Sequence, residues 1–401
     1  MKILAIDTSC DDTSVAVVER KNNKIEILSN IVASQIKIHS PYGGVYPMLA
    51  KREHQKNLVP VCEKALKKAG LLTPDTKLDG RPVLYQVEKI LSKDQILLEK
   101  TTFFLKKYQN PNATIQAIAV TNTPGLEPCL WQGINFAKAL SCYWGIPLVP
   151  VNHIKAHLSA NWLTKPPSGF GGRGRSHSVA STPQFPAIGL VASGGHTELL
   201  YMPKKNKYQL IGSTRDDAAG ECFDKTARIL GLPYPGGPAI AALAKCSAPP
   251  LCPKQRGGAD AKLPRPMIKS NDFDFSFSGL KTAVLYNFQS QNKATQQSQD
   301  YKIAMAKEIQ QAIIDVLITK TIKAVEKFNA KSIIAGGGVM ANKELSKQFK
   351  AQCVKLKIKF FAPSKNLCMD NAAMIGSEAL MAKNPPIKNW NNLKANGNLK
   401  I

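Results

Sequence analysis

Two histidines, His153 and His157, lie four residues apart in the run 151–158. Residues at positions i and i+4 are neighbours on one face of an α-helix. Two imidazoles placed in this way can bind one metal ion from a single rigid element. The same spacing also occurs in ordinary helices, with one histidine exposed and the other packed. The pair alone therefore leaves a metal site and an ordinary helix both open.

Polar or glycine-rich turns follow several apolar runs that predict strands. The turn 7–13 places hydroxyl groups and carboxylates, including Asp11, between the predicted strands 2–6 and 14–19. Such a turn can bind phosphate through backbone N–H groups or a cation through carboxylates. A second unit of strand, polar turn and strand spans 187–201. The similarity of the two units predicts an internal duplication of one nucleotide-binding half.

Three later segments also place polar groups near the ends of predicted elements. Asp216 and Asp217 are suitable N-caps for a helix that runs to Leu230. The glycines of 336–342 follow a strand and precede a helix, where such a turn can admit a purine or ribose. Asp370 lies at a strand-to-helix junction. Its carboxylate can either project into a cleft or cap the helix.

Alternating strands and helices predict an α/β fold with a mainly parallel sheet. We expect an N-terminal half at 1–150, with an insertion of amphipathic helices near 78–113. We expect a C-terminal half at 151–383, whose last helix packs back on the first half. Residues 166–186 predict a flexible basic loop, and 384–401 a polar, poorly ordered tail.

Composition favours a globular protein of the cytoplasm. The 401 residues are 44% hydrophobic and 20% charged, and no apolar run reaches the length of a membrane span. The N-terminus lacks the apolar core of a signal peptide. The nine cysteines include no Cys-x-x-Cys pair, which favours a reducing compartment over a disulfide framework.

The formal net charge is +26, from 54 basic and 28 acidic residues. Such a surface attracts polyanions, and nucleic acid is the first candidate. The alternative is a lysine-rich composition in which the charges are simply solvated. The lysines are spread along the chain, so their clustering does not decide between the two.

The turns taken together resemble one family, the bacterial tRNA adenosine threonylcarbamoyltransferases. The matching segments are 7–13, 41–45, 153–157, 193–197, 216–221, 234–238, 274–282, 337–342 and 370–375. They cover nearly the whole chain apart from about 78–113, 165–184 and the tail. Each motif is weak alone, but their order is highly specific.

The resemblance implies an actin-like ATPase fold, in which two similar α/β halves have a ligand cleft between them. It also implies one divalent metal held by His153, His157 and Asp370. Iron(II) is the metal usual in the family, and zinc or magnesium are alternatives. Two histidines and a carboxylate leave coordination positions open for a ligand.

The resemblance further implies transfer of threonylcarbamoyl from threonylcarbamoyl-adenylate to the adenosine next to the anticodon of a tRNA. Asp11 is the candidate for positioning or proton transfer. The implied substrate-binding residues are Val191, Ala192, Ser193, Gly194, Gly195, Asp224, Gly237 and Asn342. The implied partners are tRNA, a paralogous non-catalytic subunit (TsaB-like) and a small ATPase (TsaE-like), with no membrane.

Three positions depart from the family pattern. Met48 stands where the family usually has Glu, Thr123 where it has Gly, and Lys155 where it has an acidic residue. Met48 removes a carboxylate, and Thr123 stiffens a turn that usually has two glycines around a proline. The implied metal ligands and the glycine turns remain intact, so we expect activity.

Three other functions compete with the transferase. A zinc peptidase needs Glu directly after the first histidine, and that position is Ile154. A small-molecule kinase of the same fold would use an acidic base and Mg²⁺ and would not need the histidine pair. A non-catalytic tRNA-binding subunit is the third, and an activity assay separates it from the transferase.

Overall fold

The computed structural model describes residues 1–73, 84–108, 114–164, 182–246, 262–382, 386–387 and 389–398. The chain divides into two compact units. One unit comprises Met1–Lys37, Val45–Ala180 and Asp370–Ile401, and the other comprises Ile38–Gly44 and Ser181–Met369. The first unit is therefore assembled from three stretches of sequence and the second from two.

Strands and helices alternate along most of the described chain. The strands are β1 (Lys2–Asp7), β2 (Asp12–Lys21), β3 (Lys24–Ser34), β4 (Ala117–Thr123), β5 (Leu148–Asn152), β6 (Leu163–Thr164), β7 (Ala187–Ala192), β8 (Thr197–Met202), β9 (Gln209–Ser213), β10 (Ser332–Gly336) and β11 (Lys359–Phe361). The helices are α1 (Ile36–His39), α2 (Pro47–Lys68), α3 (Leu84–Leu91), α4 (Gln95–Lys107), α5 (Glu127–Trp144), α6 (His153–Ser159), α7 (Ala219–Ile229), α8 (Gly236–Leu243), α9 (Ser278–Ser290), α10 (Lys293–Gln297), α11 (Gln299–Lys327), α12 (Lys343–Lys355), α13 (Lys365–Cys368) and α14 (Ala372–Met381).

The described part of the first unit is built on a six-stranded sheet in the order β5-β4-β1-β2-β3-β6. β1 pairs antiparallel with β2 and parallel with β4, and β4 pairs parallel with β5. β1 and β4 are almost entirely buried because helices cover the sheet, which explains their continuous apolar sequences. The parallel strands β1, β4 and β5 bring their carboxyl ends to one edge of the sheet.

The second unit repeats this topology in its described residues, with five strands in the order β11-β10-β7-β8-β9. β7 pairs antiparallel with β8 and parallel with β10, as β1 does with β2 and β4. Numbered within its own unit, the first five strands of each sheet therefore have the order 5-4-1-2-3, and the first sheet adds β6 beside β3. This repeat confirms the predicted actin-like ATPase fold with two similar α/β halves.

Helix α14, the last long helix, belongs to the first unit. It packs on β1, β2 and α6. Its approach depends on Gly376, where a Cβ atom would lie 2.4 Å from Val18 Cγ2 and 3.2 Å from Ala5 Cβ. Ser377 Oγ donates a hydrogen bond to the Ser159 carbonyl at 2.8 Å, which ties α14 to α6. Helix α14 is thus fixed against the N-terminal sheet.

The structure differs from two of the sequence-based boundaries. The division predicted at residue 150 lies within the first unit, because β5 pairs with β4 and β6 pairs with β3. The tail predicted as poorly ordered from residue 384 is packed in part. Ile387 forms a bridge with Leu148, and Leu393 is buried.

The insertion predicted near 78–113 contains two helices, α3 and α4, and its residues 78–83 and 109–113 lie outside the described ranges. α4 packs on α2, and α3 packs on α5. Most of the loop predicted at 166–186 also lies outside the described residues. No helix in the described ranges has the length and apolar character required to span a bilayer.

We predict that Gly376→Ala destabilises the protein by about 1–3 kcal/mol, because the added methyl group overpacks the contact with Val18. Urea unfolding monitored by circular dichroism measures the change. Gly195→Ala is the matched control, since a Cβ there meets nothing within 4 Å. Equal unfolding midpoints for Gly376→Ala and wild type would contradict the packing argument.

Candidate metal centre and ligand-binding turns

The two histidines lie on α6, and Asp370 comes directly before the N-cap of α14. Asn152 caps α6 by accepting a hydrogen bond from the Lys155 backbone N–H at 3.1 Å. Asn371 caps α14 in the same way through Met374 N–H at 3.2 Å. Asp370 is therefore not the helix cap, and its carboxylate is free to face the histidines.

The three side chains form a compact cluster. Asp370 Oδ1 lies 3.4 Å from His153 Nε2 and 3.3 Å from His157 Nε2. The imidazole centroids are 4.6 Å apart, and one ligand atom from each residue lies within 4.8 Å of the others. Both histidines are buried. The structure thus brings together the three residues expected to hold a metal.

Charge within the cluster is balanced by mutual pairing. Burial lowers the pKa of His153, but the carboxylates of Asp370 and Asp7 outweigh burial and raise this pKa to about 9. Burial and the charge of His153 lower the pKa of His157. Burial opposes ionisation of Asp370, yet the two histidines hold its pKa well below the ordinary range.

The cluster has unused donor atoms suited to a metal ion. Both ring nitrogens of His157 are buried without a hydrogen-bond partner. A buried polar atom left without a partner is costly, so its retention calls for a ligand or an ion. Two imidazoles and one carboxylate are a donor set for iron(II) or zinc, with positions left open.

Asp7 lies at the end of β1 beside this cluster, and the sequence patterns did not single it out. Its Oδ1 accepts hydrogen bonds from Thr121 Oγ1 at 2.8 Å and from Ser9 N–H at 3.2 Å. Its Oδ2 lies 3.7 Å from His153 Nδ1. The strand order supplies the missing signal, since β1 lies beside β4, and β4 beside β5, which leads into α6.

The turn that carries Asp11 is held by a buried histidine that sequence reasoning also missed. His54, on α2, places Nε2 2.9 Å from the Cys10 carbonyl and Nδ1 2.8 Å from Thr13 Oγ1. A carbonyl oxygen only accepts, so Nε2 donates to it. His54 therefore fixes both sides of the position that Asp11 occupies.

Asp12, next to Asp11, is a largely buried carboxylate whose ionised form is unfavourable. Burial and the negative charge of Asp11 raise the pKa of Asp12 to about 7. One of its carboxylate oxygens is buried without a hydrogen-bond partner. The ionised form of Asp12 thus opposes folding at neutral pH.

In the second unit, the predicted ligand residues 191–195 lie at the end of β7. Val191, Ala192 and Ser193 are buried, whereas Gly194 and Gly195 are exposed. The start of α7 contacts this turn, since Gly220 N–H donates to the Ser193 carbonyl at 3.1 Å. Gly337, at a φ of +94°, also approaches it, and a Cβ there would lie 2.3 Å from the Ala192 carbonyl oxygen.

The other predicted ligand residues have structural contacts within the second unit. Asp224 Oδ1 accepts a hydrogen bond from Gly236 N–H at 2.7 Å, which ties the start of α8 to α7. Gly237 lies in the first turn of α8. Asn342 caps α12 through its Oδ1 and donates from Nδ2 to Gln310 Oε1 at 2.9 Å. These contacts hold Asp224 and Asn342 in place within the second unit.

The predicted N-cap role of Asp216 and Asp217 is wrong. Helix α7 begins at Ala219, after both residues. Asp216 instead accepts hydrogen bonds from the Phe277 and Ser278 backbone N–H groups at 2.8 and 3.2 Å, at the start of α9. Asp217 pairs with Lys225 at 2.7 Å.

The departures from the family pattern have different surroundings. Met48, in the first turn of α2, is 55% exposed. Thr123, at the end of β4, is buried. The following turn at Gly125 packs closely on the 7–13 turn, because Leu126 N–H donates to the Ser9 carbonyl at 2.8 Å.

We predict that Asp12→Asn stabilises the protein at pH 8 by up to about 4 kcal/mol, the cost of a pKa raised from 3.8 to about 7. The folded state holds this proton more tightly than the unfolded state. Wild-type stability therefore falls between about pH 4 and pH 7. Urea unfolding at pH 4 and pH 8 tests this, with no gain expected at pH 4. If Asp12→Asn and the wild type were equally stable at pH 8, the ionised Asp12 would not destabilise the folded state.

Comparison with known proteins gives one consistent match. The model of the family described as TsaD, tRNA N6-adenosine threonylcarbamoyltransferase, matches residues 26–78 and 94–377. A curated protein of that name from Syntrophomonas wolfei is 41% identical over 94% of this chain and 91% of its own length. One from Persephonella marina is also 41% identical, over 94% of this chain and 88% of its own.

Among solved structures, component A of the Acidaminococcus fermentans (R)-2-hydroxyglutaryl-CoA dehydratase is 10% identical, with a TM-score of 0.45. That match covers 94% of this chain and 96% of the other. The extent of the family match and the identity to curated relatives decide the classification: this chain belongs to the tRNA N6-adenosine threonylcarbamoyltransferase family.

Proposed function

We propose that this protein transfers the threonylcarbamoyl group from threonylcarbamoyl-adenylate to the exocyclic amine of adenosine 37, next to the anticodon, in tRNAs that read ANN codons. AMP is the second product. The observation that carries the proposal is the buried cluster of His153, His157 and Asp370 in a chain of this family. The activity in the names of the curated relatives is the same transfer.

His153, His157 and Asp370 would hold one divalent metal ion. Iron(II) and zinc accept imidazole nitrogen readily, whereas magnesium prefers oxygen ligands. The donor set therefore favours iron(II) or zinc. When bound, such an ion supplies positive charge that polarises a carbonyl or phosphoryl oxygen.

The reaction forms a bond between the adenine N6 and the carbamoyl carbon and breaks the bond from that carbon to the phosphate oxygen of AMP. The amine loses one proton, for which the Asp11 carboxylate is the proposed acceptor or positioning group. The amine is a poor nucleophile, so orientation of the two reactants supplies much of the rate. His54 contributes by holding the turn on both sides of Asp11.

The glycine-rich turns of the second unit would bind threonylcarbamoyl-adenylate. Gly194 and Gly195 leave open space around their Cα atoms, which lets a ligand approach the backbone. Val191, Ala192 and Ser193 precede them, and backbone N–H groups in such a turn suit an anion. Asp224, Gly237 and Asn342 would lie around the adenylate.

The proposed macromolecular substrate is tRNA, and the net charge of +26 suits a polyanion. A TsaB-like subunit and a TsaE-like ATPase are proposed as partners, and the cytoplasm as the compartment. A peptidase is disfavoured because the buried Ile154 stands where the general base would be needed. A purely tRNA-binding role gives no reason for a buried metal-ligand set.

We predict that wild-type protein forms threonylcarbamoyladenosine and that His153→Ala/His157→Ala lowers the yield at least about 100-fold, because transition-state charge loses its stabilisation. The assay mixes protein, iron(II), threonylcarbamoyl-adenylate and an ANN-decoding tRNA, with and without the partner proteins. Nucleoside mass spectrometry detects the product.

Lys155→Ala is the matched control for this assay, since it alters α6 and keeps both imidazoles. It should retain the product. Wild-type protein that stays inactive with metal and partners present would overturn the transferase proposal. Met48→Glu and Thr123→Gly would then show whether those two departures are responsible.

We predict steep salt dependence for tRNA binding. If six to ten phosphates are neutralised, affinity should fall about 10³- to 10⁵-fold between 50 and 200 mM salt. Filter binding with labelled tRNA measures the slope. An affinity independent of salt would contradict a role for the basic surface.

A further inference from the structure

Asp7 and His153 each hold a buried polar atom without a hydrogen-bond partner, and these two atoms face each other. Asp7 Oδ2 lies 3.7 Å from His153 Nδ1. The accessible fractions of the two residues are 0% and 4%. Leaving a buried donor or acceptor without a partner destabilises a protein, so two such atoms that face each other call for an explanation other than chance packing.

The remainder of the Asp7 carboxylate is held in a fixed orientation. Thr121 Oγ1 and Ser9 N–H both donate to Oδ1. Oδ2 is thereby directed at the imidazole of His153. On the opposite side of this ring, Nε2 faces Asp370 at 3.4 Å. His153 thus lies between two carboxylates, and each of its two ring nitrogens faces one of them.

We propose that Asp7 is a positioning residue for the metal centre: it accepts the Nδ1–H hydrogen bond of His153 when that histidine binds metal through Nε2. A proton kept on Nδ1 leaves the Nε2 lone pair free for the ion. Metal-binding histidines generally donate their second nitrogen to a carboxylate or carbonyl. The separation exceeds a normal hydrogen bond by less than about 1 Å, which a small ring rotation closes.

The inference rests on the proposed metal site and is tested by metal affinity, independently of catalysis. Asp7→Asn keeps the shape and the Oδ1 acceptor but presents an amide N–H₂ to Nδ1. The imidazole proton then moves to Nε2, where it blocks coordination. We expect the Kd for Zn²⁺ to rise about 10- to 100-fold, measured by competition with a chromophoric chelator.

Two further variants separate the hydrogen bond from charge and folding effects. Asp12→Asn removes a carboxylate from the same turn and leaves Asp7 and His153 in place. It should change the Kd much less than Asp7→Asn. Thr121→Val removes the hydroxyl that orients Asp7 and should give a smaller rise in Kd. It also supplies the test if Asp7→Asn fails to fold, as judged by circular dichroism in EDTA.

A spectroscopic measurement reports the tautomer directly. In zinc-loaded wild type with ¹⁵N-labelled histidine, two-bond ¹H–¹⁵N spectra should show the His153 proton on Nδ1. The inference would be overturned if Asp7→Asn bound zinc as tightly as the wild type does. It would also be overturned if Asp7→Asn and Asp12→Asn lost zinc affinity to the same extent. If the wild-type protein modifies tRNA and Asp7→Asn binds zinc normally, only the inference about Asp7 is overturned, and the transferase proposal stands. A zinc defect in Asp7→Asn with no tRNA product from wild type would overturn only the transferase.

Discussion

The close packing of α14 on the N-terminal sheet is the contact on which the candidate metal centre depends. Asp370 is more than two hundred residues from His157 in sequence, and it reaches the histidines only because α14 lies against β1, β2 and α6. Gly376 permits that approach, since Val18 and Ala5 leave no space for a side chain. Ser159 then joins the two helices through Ser377 and Glu378. Ligand geometry is thus set by backbone packing.

Buried charge is the energetic cost of this arrangement. Asp370 is compensated by the histidines, but Asp12 lies in the same region with a raised pKa and an unpaired oxygen. A protein selected for stability alone would replace it with a neutral residue. A carboxylate of this kind at the start of β2 is more readily explained by function than by folding.

The sequence predicted the individual parts of the site better than it predicted which residues lie next to each other. The spacing of His153 and His157 correctly predicted a shared helix face, which α6 provides. Asp370 was expected at a strand-to-helix junction, but α13 follows β11, so Asp370 lies between the helices α13 and α14. Asp7 was missed because its partner, His153, is distant in sequence. His54 was missed because it contacts the backbone carbonyl of Cys10, which has no signature in the sequence. The boundary at 150 was wrong because β5 and β6 are short, and their membership depends on pairing with β4 and β3. Pairing of this kind is a property of the folded chain.

The two halves share a strand order, yet their first turns have diverged chemically. The turn after β1 contains carboxylates and hydroxyl groups, and it lies beside the histidine cluster of its own unit. The turn after β7 contains glycines and contacts the start of α7. Carboxylate oxygens suit a cation, whereas exposed backbone N–H groups suit an anion. The repeated strand order therefore supplies two equivalent positions in the topology, and the residues at these positions favour opposite charges.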